Sequence, residues 1–115
     1  MMIPVPLHPT RLRERGYNQS CLLADGISSA FGIPIVLNKL TRIRNTEPQA
    51  MLEAKNRFTN IHGAFTIKNS QGITRKNILI IDDLLTTGAT ASEAARILKT
   101  AGAKRVGVLT LAITA

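Results

Sequence analysis

Residues 78–90 read ILIIDDLLTTGAT, and the fold follows from how that stretch divides. Ile78, Leu79, Ile80 and Ile81 form a continuous aliphatic run without polar alternation, the pattern of a parallel strand covered on both faces. Asp82 and Asp83 then stand at the expected end of that strand. Small hydroxylated residues follow, and Gly88 permits a close approach of ligand to main chain. Thr90 with Glu93 three residues later fits a capping box, which places a helix start at Thr90. The first-turn N–H groups of a helix lack internal partners and carry partial positive charge. Strand, small-residue turn and helix N-terminus together make a phosphate cradle.

Working outward, Ala94, Ala95, Leu98 and Ala101 give the helix a buried face, and Gly102 ends it. VGVLTLAI, residues 106–113, reads as a final buried strand, so 78–113 is one βαβ unit. Upstream, AFTI at 64–67 reads as a strand and Asn69–Lys76 as a polar turn. Residues 17–31 have Leu23, Ile27, Ala30 and Phe31 at helical spacing, with Gly32 and Pro34 as stop signals. IPVPL at 3–7 and IVL at 35–37 read as short strands, although Pro4 and Pro6 each lack an N–H for a ladder.

Two segments resist this patterning. HPTRLRERG, residues 8–16, places Arg11, Arg13 and Arg15 at alternate positions before Gly16. An extended loop would aim all three guanidinium groups one way, toward phosphate oxygens; a solvated basic loop fits the residues equally well. Between Asn38 and Gly63 cations are interspersed with few apolar residues. Thr46, Pro48 and Gln49 suggest a short helix to about Phe58, either a lid over a site or a solvated surface helix. Cys21 reads as a small buried hydrophobe of the 17–31 helix.

The chain has 115 residues and a formal charge of +8, with 44% hydrophobic and 19% charged residues. One domain spanning 1–115 is expected, with affinity for anions such as polyphosphates or nucleic acid. Aromatics make up 3%, which argues against a single-strand binder that relies on base stacking. No segment approaches the roughly eighteen apolar residues of a spanning helix. The opening MMIPVPLHPTR has no basic region before its apolar run, so a secretory signal is not expected. The one cysteine excludes an intramolecular disulfide and favours a reducing, cytoplasmic setting.

ILIIDDLLTTGAT resembles the phosphoribosyl-pyrophosphate (PRPP) motif of type I phosphoribosyltransferases. PVPLHPTRLRERGYNQ at 5–19, RIRNTEPQAML at 42–52 and RFTNIHGAF at 57–65 extend the likeness to the ComF/GntX-like competence protein family. The resemblance implies a three-layer α/β/α, Rossmann-like, mostly parallel sheet, with ligand beyond the carboxyl ends of its strands. It implies that Asp82 and Asp83 serve the ribose hydroxyls and oppose positive charge on the ribose ring. Thr86, Thr87, Gly88, Ala89 and Thr90 would bind the 5′-phosphate. Arg11, Arg13, Arg15 and Gly16 would form the pyrophosphate loop. Residues 41–60 would be a mobile loop carrying Arg42, Arg44, Gln49 and Arg57. Mg²⁺ would arrive mainly through PRPP, not in a cage made of protein alone.

The same resemblance implies transfer of a phosphoribosyl group to a nitrogen nucleophile, or an accessory role in natural transformation with a vestigial or sensing PRPP site. DNA or DNA-uptake machinery would be the partner in the second case. ComF-like proteins carry a four-cysteine zinc module and further structure before the PVPL strand, and catalytic relatives carry a hood for the base. This sequence has neither, so a fragment or short form is expected, and bare apolar edges leave self-pairing open.

Overall fold

The computed structural model describes residues 1–44, 61–85 and 88–113. Its centre is the strand β4 (Asn77–Leu85), flanked in parallel by β1 (Met2–Pro4) and β5 (Arg105–Ile113). Ile80 and Ile81 are fully buried because helices cover both faces of this strand. Helix α2 (Gln19–Phe31) packs Ala24, Leu23 and Ile27 against Met2, Leu79 and Ile81. On the other face α3 (Ala89–Thr100) sets Ala94 and Leu98 against Ile78, Ile80, Ile3 and Val5. Alternate residues of β1 and β4 therefore serve opposite helices, as strand geometry requires.

The expected 3–7 strand is shorter than read, and Pro4 supplies the reason. Met2 bonds outward to the 34–36 segment, from its N–H to Pro34 O at 2.8 Å and from Val36 N–H to its carbonyl at 2.9 Å. The next amide facing that side would belong to Pro4, which has none. The expected 35–37 strand is thus reduced to a single parallel bridge between Met2 and Ile35. On its other side β1 continues to bond, with Val5 N–H reaching Ile81 O at 2.9 Å.

A second, antiparallel pair joins β2 (Leu40–Arg42) to β3 (Phe65–Ile67), and Leu40, Ile61, Ala64 and Phe65 carry it onto the α3 face. The 64–67 run is therefore a strand outside the main sheet. The pattern around Leu40 gave no sign of its partner. The helix expected from Thr46 to about Phe58 lies outside the described residues.

Four further expectations are corrected. Residues 8–16 are not an extended loop but hold the helix α1 (Pro9–Arg15). His8 caps it, its Nδ1 accepting from Thr10 N–H at 3.1 Å, with Pro9 at the first position and Gly16 closing it at φ 83°. Helix α3 begins at Ala89, one residue before the capping-box reading, with left-handed Gly88 as N-cap. Glu93 is drawn instead to Arg96. Phe31 is 76% exposed, since α2 turns it away from the sheet, and Ala30 is exposed too. Strand β5 is an edge among the described residues, so Val108, Leu109 and Leu111 are exposed rather than buried.

Two glycines of opposite character test this packing. Gly102 has φ +100°, and a Cβ there would meet Thr74 side-chain atoms at 3.4 Å. Gly26 lies within α2 with open space around it. In chemical denaturation Gly102→Ala is expected to lower stability by more than about 1 kcal/mol. Gly26→Ala is expected to raise it by about 0.5–1 kcal/mol. Leu98→Ala, at a fully buried position, is expected to cost about 2–5 kcal/mol in the same assay.

Candidate phosphoribosyl site

Pro4 of β1 pairs with Ile81, but β4 runs on to Leu85 with only β5 beside it. Asp82 and Asp83 lie inside β4, not at its end, in the stretch that β1 has already left. Successive side chains of a strand point to opposite faces. Asp82 is buried, 8% exposed, on the α3 face; Asp83, on the α2 face, is half-buried. The two acids therefore flank the strand and do not converge on one point.

The chain leaving β1 passes directly into α1. In a helix, positions four apart share a face, whereas positions two apart do not. Arg11 and Arg15 thus lie together, and Arg13 points away, with its guanidinium 3.5 Å from Thr10 Oγ1. Arg11 is half-buried; Arg13 and Arg15 are exposed. Asn18, unremarked in the sequence, fixes the return from α1. Its Oδ1 accepts from Ser20 N–H at 2.9 Å, capping α2, and its Nδ2 donates to Val5 O at 3.0 Å. The signal was present as an Asn one residue before a helical stripe.

Arg42, the last residue of β2, reaches the same region. Its Cζ lies 5.1 Å from the centroid of the Phe65 ring, the residue opposite it in the ladder. Burial pushes its pKa down; nearby Asp82 opposes that shift and Arg11 adds to it. Arg42 Nε is fully enclosed and has no hydrogen-bond partner among the described residues. Arg44 is exposed and donates from its guanidinium to His62 O, joining the two ends of the 45–60 segment.

Beyond β4, Gly88 starts α3 at φ 84° and brings no capping side chain. A left-handed glycine at a helix N-terminus leaves room for an anion at the first-turn amides. Ala89 and Thr90 follow in the first turn. Behind them the buried Glu93 accepts from Arg96 Nε at 2.6 Å and lies 3.5 Å from His62 Nδ1. Sequence reading had assigned Glu93 to a cap; in the fold it anchors the approach to β3 against α3.

The described residues thus bring Asp82 and Arg11 each within electrostatic reach of Arg42. Thr86, Thr87, Gln49 and Arg57 lie outside the described residues. No group of three or more His, Cys, Asp or Glu suited to a metal occurs among the described residues. No described helix is long and apolar enough to cross a membrane.

Comparison with known proteins agrees with this architecture. The family profile described as "Phosphoribosyl transferase domain" matches residues 18–114. The chain is 36% identical over 112 residues to Competence protein F of Haemophilus influenzae, covering 96% of this chain and 49% of that one. It is 36% identical over 114 residues to the DNA utilization protein YhgH of Salmonella typhi, covering 98% and 49%. With Competence protein ComFC of Bacillus subtilis the identity is 37% over 98 residues, covering 85% and 38%. The chain spans about half the length, or less, of these curated relatives. A parallel sheet clothed by helices on both faces and a profile match across most of the chain lead to one assignment: the chain belongs to the phosphoribosyl transferase domain family, in its ComF-like branch.

Proposed function

We propose that this domain binds PRPP and supports transfer of its phosphoribosyl group to a nitrogen nucleophile. The observation that supports it best is the position of Asp82 and Asp83, beyond the end of β1, where that chain passes into the arginine-bearing α1, and on the strand that leads toward α3. A ribose on the α3 side would donate hydrogen bonds from its hydroxyls to Asp82, while Asp83, on the other face of the strand, would act on the site through its charge. As pyrophosphate departs, positive charge grows on the ribose ring, and two fixed carboxylates stabilise it. Arg11 and Arg15, sharing one face of α1, would hold the pyrophosphate oxygens, with Arg13 set to the opposite side. Gly88, Ala89 and Thr90, continuing from Thr86 and Thr87, would receive the 5′-phosphate at the helix N-terminus. Arg42, Arg44, Gln49 and Arg57 would complete the approach to the pyrophosphate.

Mg²⁺ fits the donor set. It binds through one or two carboxylates, substrate phosphates and retained waters, and two carboxylates on opposite faces of a strand offer single ligands, not a cage. When bound it would neutralise the leaving pyrophosphate. Asp82 and Asp83 are the residues that would touch it, directly or through water.

Titration calorimetry should show Mg²⁺-dependent binding of PRPP, abolished in Asp82→Asn/Asp83→Asn while the circular dichroism spectrum is unchanged. Full binding by that double variant would remove both carboxylates from the site.

The relatives' names favour a second reading, an accessory role in competence or DNA use, and the +8 charge permits it. In this reading the exposed Arg13, Arg15 and Arg44 contact DNA. Duplex binding should then weaken steeply as salt rises, by about 0.9 log unit in affinity per log unit of salt for each phosphate contacted. Replacing all three arginines with Gln should flatten that slope by up to about three such contacts. A slope unaltered in the triple variant counts against this surface.

A further inference from the structure

Between α1, residues 36–38 and β2 lies a cleft of about 390 Å³. Leu12, Val36, Leu37 and Leu40 give it apolar walls, and Cys21 and Arg42 also line it. Leu12 and Leu37 are 42% and 56% exposed, which is costly for leucines that flank a hollow. Helix α1, on one side, buries none of its residues. A helix of seven residues is marginal in water, and here its caps, not packing, define it.

One charged side chain, Arg42, lines the cleft among the described residues. It is desolvated, and its Nε has no hydrogen-bond partner among them. Asp82 attracts it and Arg11 repels it. Toward Cys21 the neighbouring charge is Asp25, whose proximity adds to burial in raising the thiol's pKa. The cleft therefore combines apolar walls with one cationic side chain whose Nε–H has no acceptor among the described residues. Unpaired, partly buried charge is unfavourable unless a counter-charge joins it. Pockets of this size with apolar walls and few polar groups characteristically hold small molecules.

We propose that this cleft is a binding site for a small amphiphilic anion. Its apolar body lies among Leu12, Val36, Leu37 and Leu40, and its anionic head lies at Arg42. The site is separate from the phosphate turn at α3 and shares Arg42 with the pyrophosphate side of the proposed PRPP site, but its ligand class does not rest on the phosphoribosyl reading. Its ligand class follows from the complement of charge and the apolar lining.

The test uses one apolar body with three heads: 2-naphthoate, 2-naphthalenemethanol and 2-naphthylmethylamine, titrated calorimetrically into the whole chain. Naphthoate should bind at least ten-fold more tightly than the amine. At saturation it should slow alkylation of Cys21, the chain's one thiol, several-fold. Arg42→Met should bring naphthoate down to the affinity of the alcohol. Leu37→Asp, at an exposed position that does not test folding, should weaken all three. Equal affinity for acid and amine, or a Cys21 alkylation rate unmoved by saturating naphthoate, would overturn the proposal. The Asp82→Asn/Asp83→Asn variant should keep naphthoate binding or strengthen it. Loss of PRPP binding in that variant therefore leaves this site standing, and failure of naphthoate leaves the PRPP site untouched.

Discussion

The offset between β1 and β4 is the constraint on which the candidate site depends. β1 stops pairing at Pro4 and Val5, while β4 continues through Asp82 and Asp83 to Leu85. Had β1 matched its neighbour in length, its backbone and side chains would lie beside the carboxylates and close the crevice. Instead the chain turns away into α1, with Asn18 tying the start of α2 back to Val5. Among the described residues, no strand pairs with that flank of β4 beyond Ile81. Crevices at the carboxyl ends of open parallel sheets arise in this way, wherever a neighbouring strand leaves early.

Much of this was legible in the sequence. The aliphatic run at 78–81, the helical stripe of α3 and the 17–31 helix follow from periodicities that burial enforces. What escaped was whatever local pattern does not encode. Alternate arginines suggest an extended strand, but His8, Pro9 and Gly16 are helix punctuation, and they decide the matter for residues 9–15. Leu40–Arg42 is a strand because Phe65–Ile67 is available to pair with it, a long-range fact. Phe31 and Leu111 look like core residues by type, and only the layout of layers shows that nothing described covers them. The pairing of Glu93 with Arg96 competes with a backbone cap and wins, since Gly88 rather than Thr90 occupies the cap position. The sequence motif singled out Asp82 and Asp83, and their opposed directions became visible only in the strand.

Arg42 illustrates a cost that packing alone would not incur. Its guanidinium sits over Phe65, a favourable cation–π arrangement, yet burial removes water that its Nε does not recover from the protein. A methionine there would satisfy the same apolar neighbours but would take a counter-charge from the buried Asp82.

Chain connectivity orders the assembly of the whole. β4 and β5 are joined through one helix, so their pairing is local. β1 pairs with a strand far away in sequence: Met2 lies opposite Leu79, 77 positions on (79 − 2), and the amino group of Met1 donates to Asn77 O at 3.1 Å. Closing so long a loop costs more chain entropy than closing the βαβ unit, and contacts of that separation form slowly. β1 therefore has no partner in the sheet until β4 has been synthesised. The arginines of α1, carried just behind β1, are thus brought to the carboxylates in the same late event that completes the sheet.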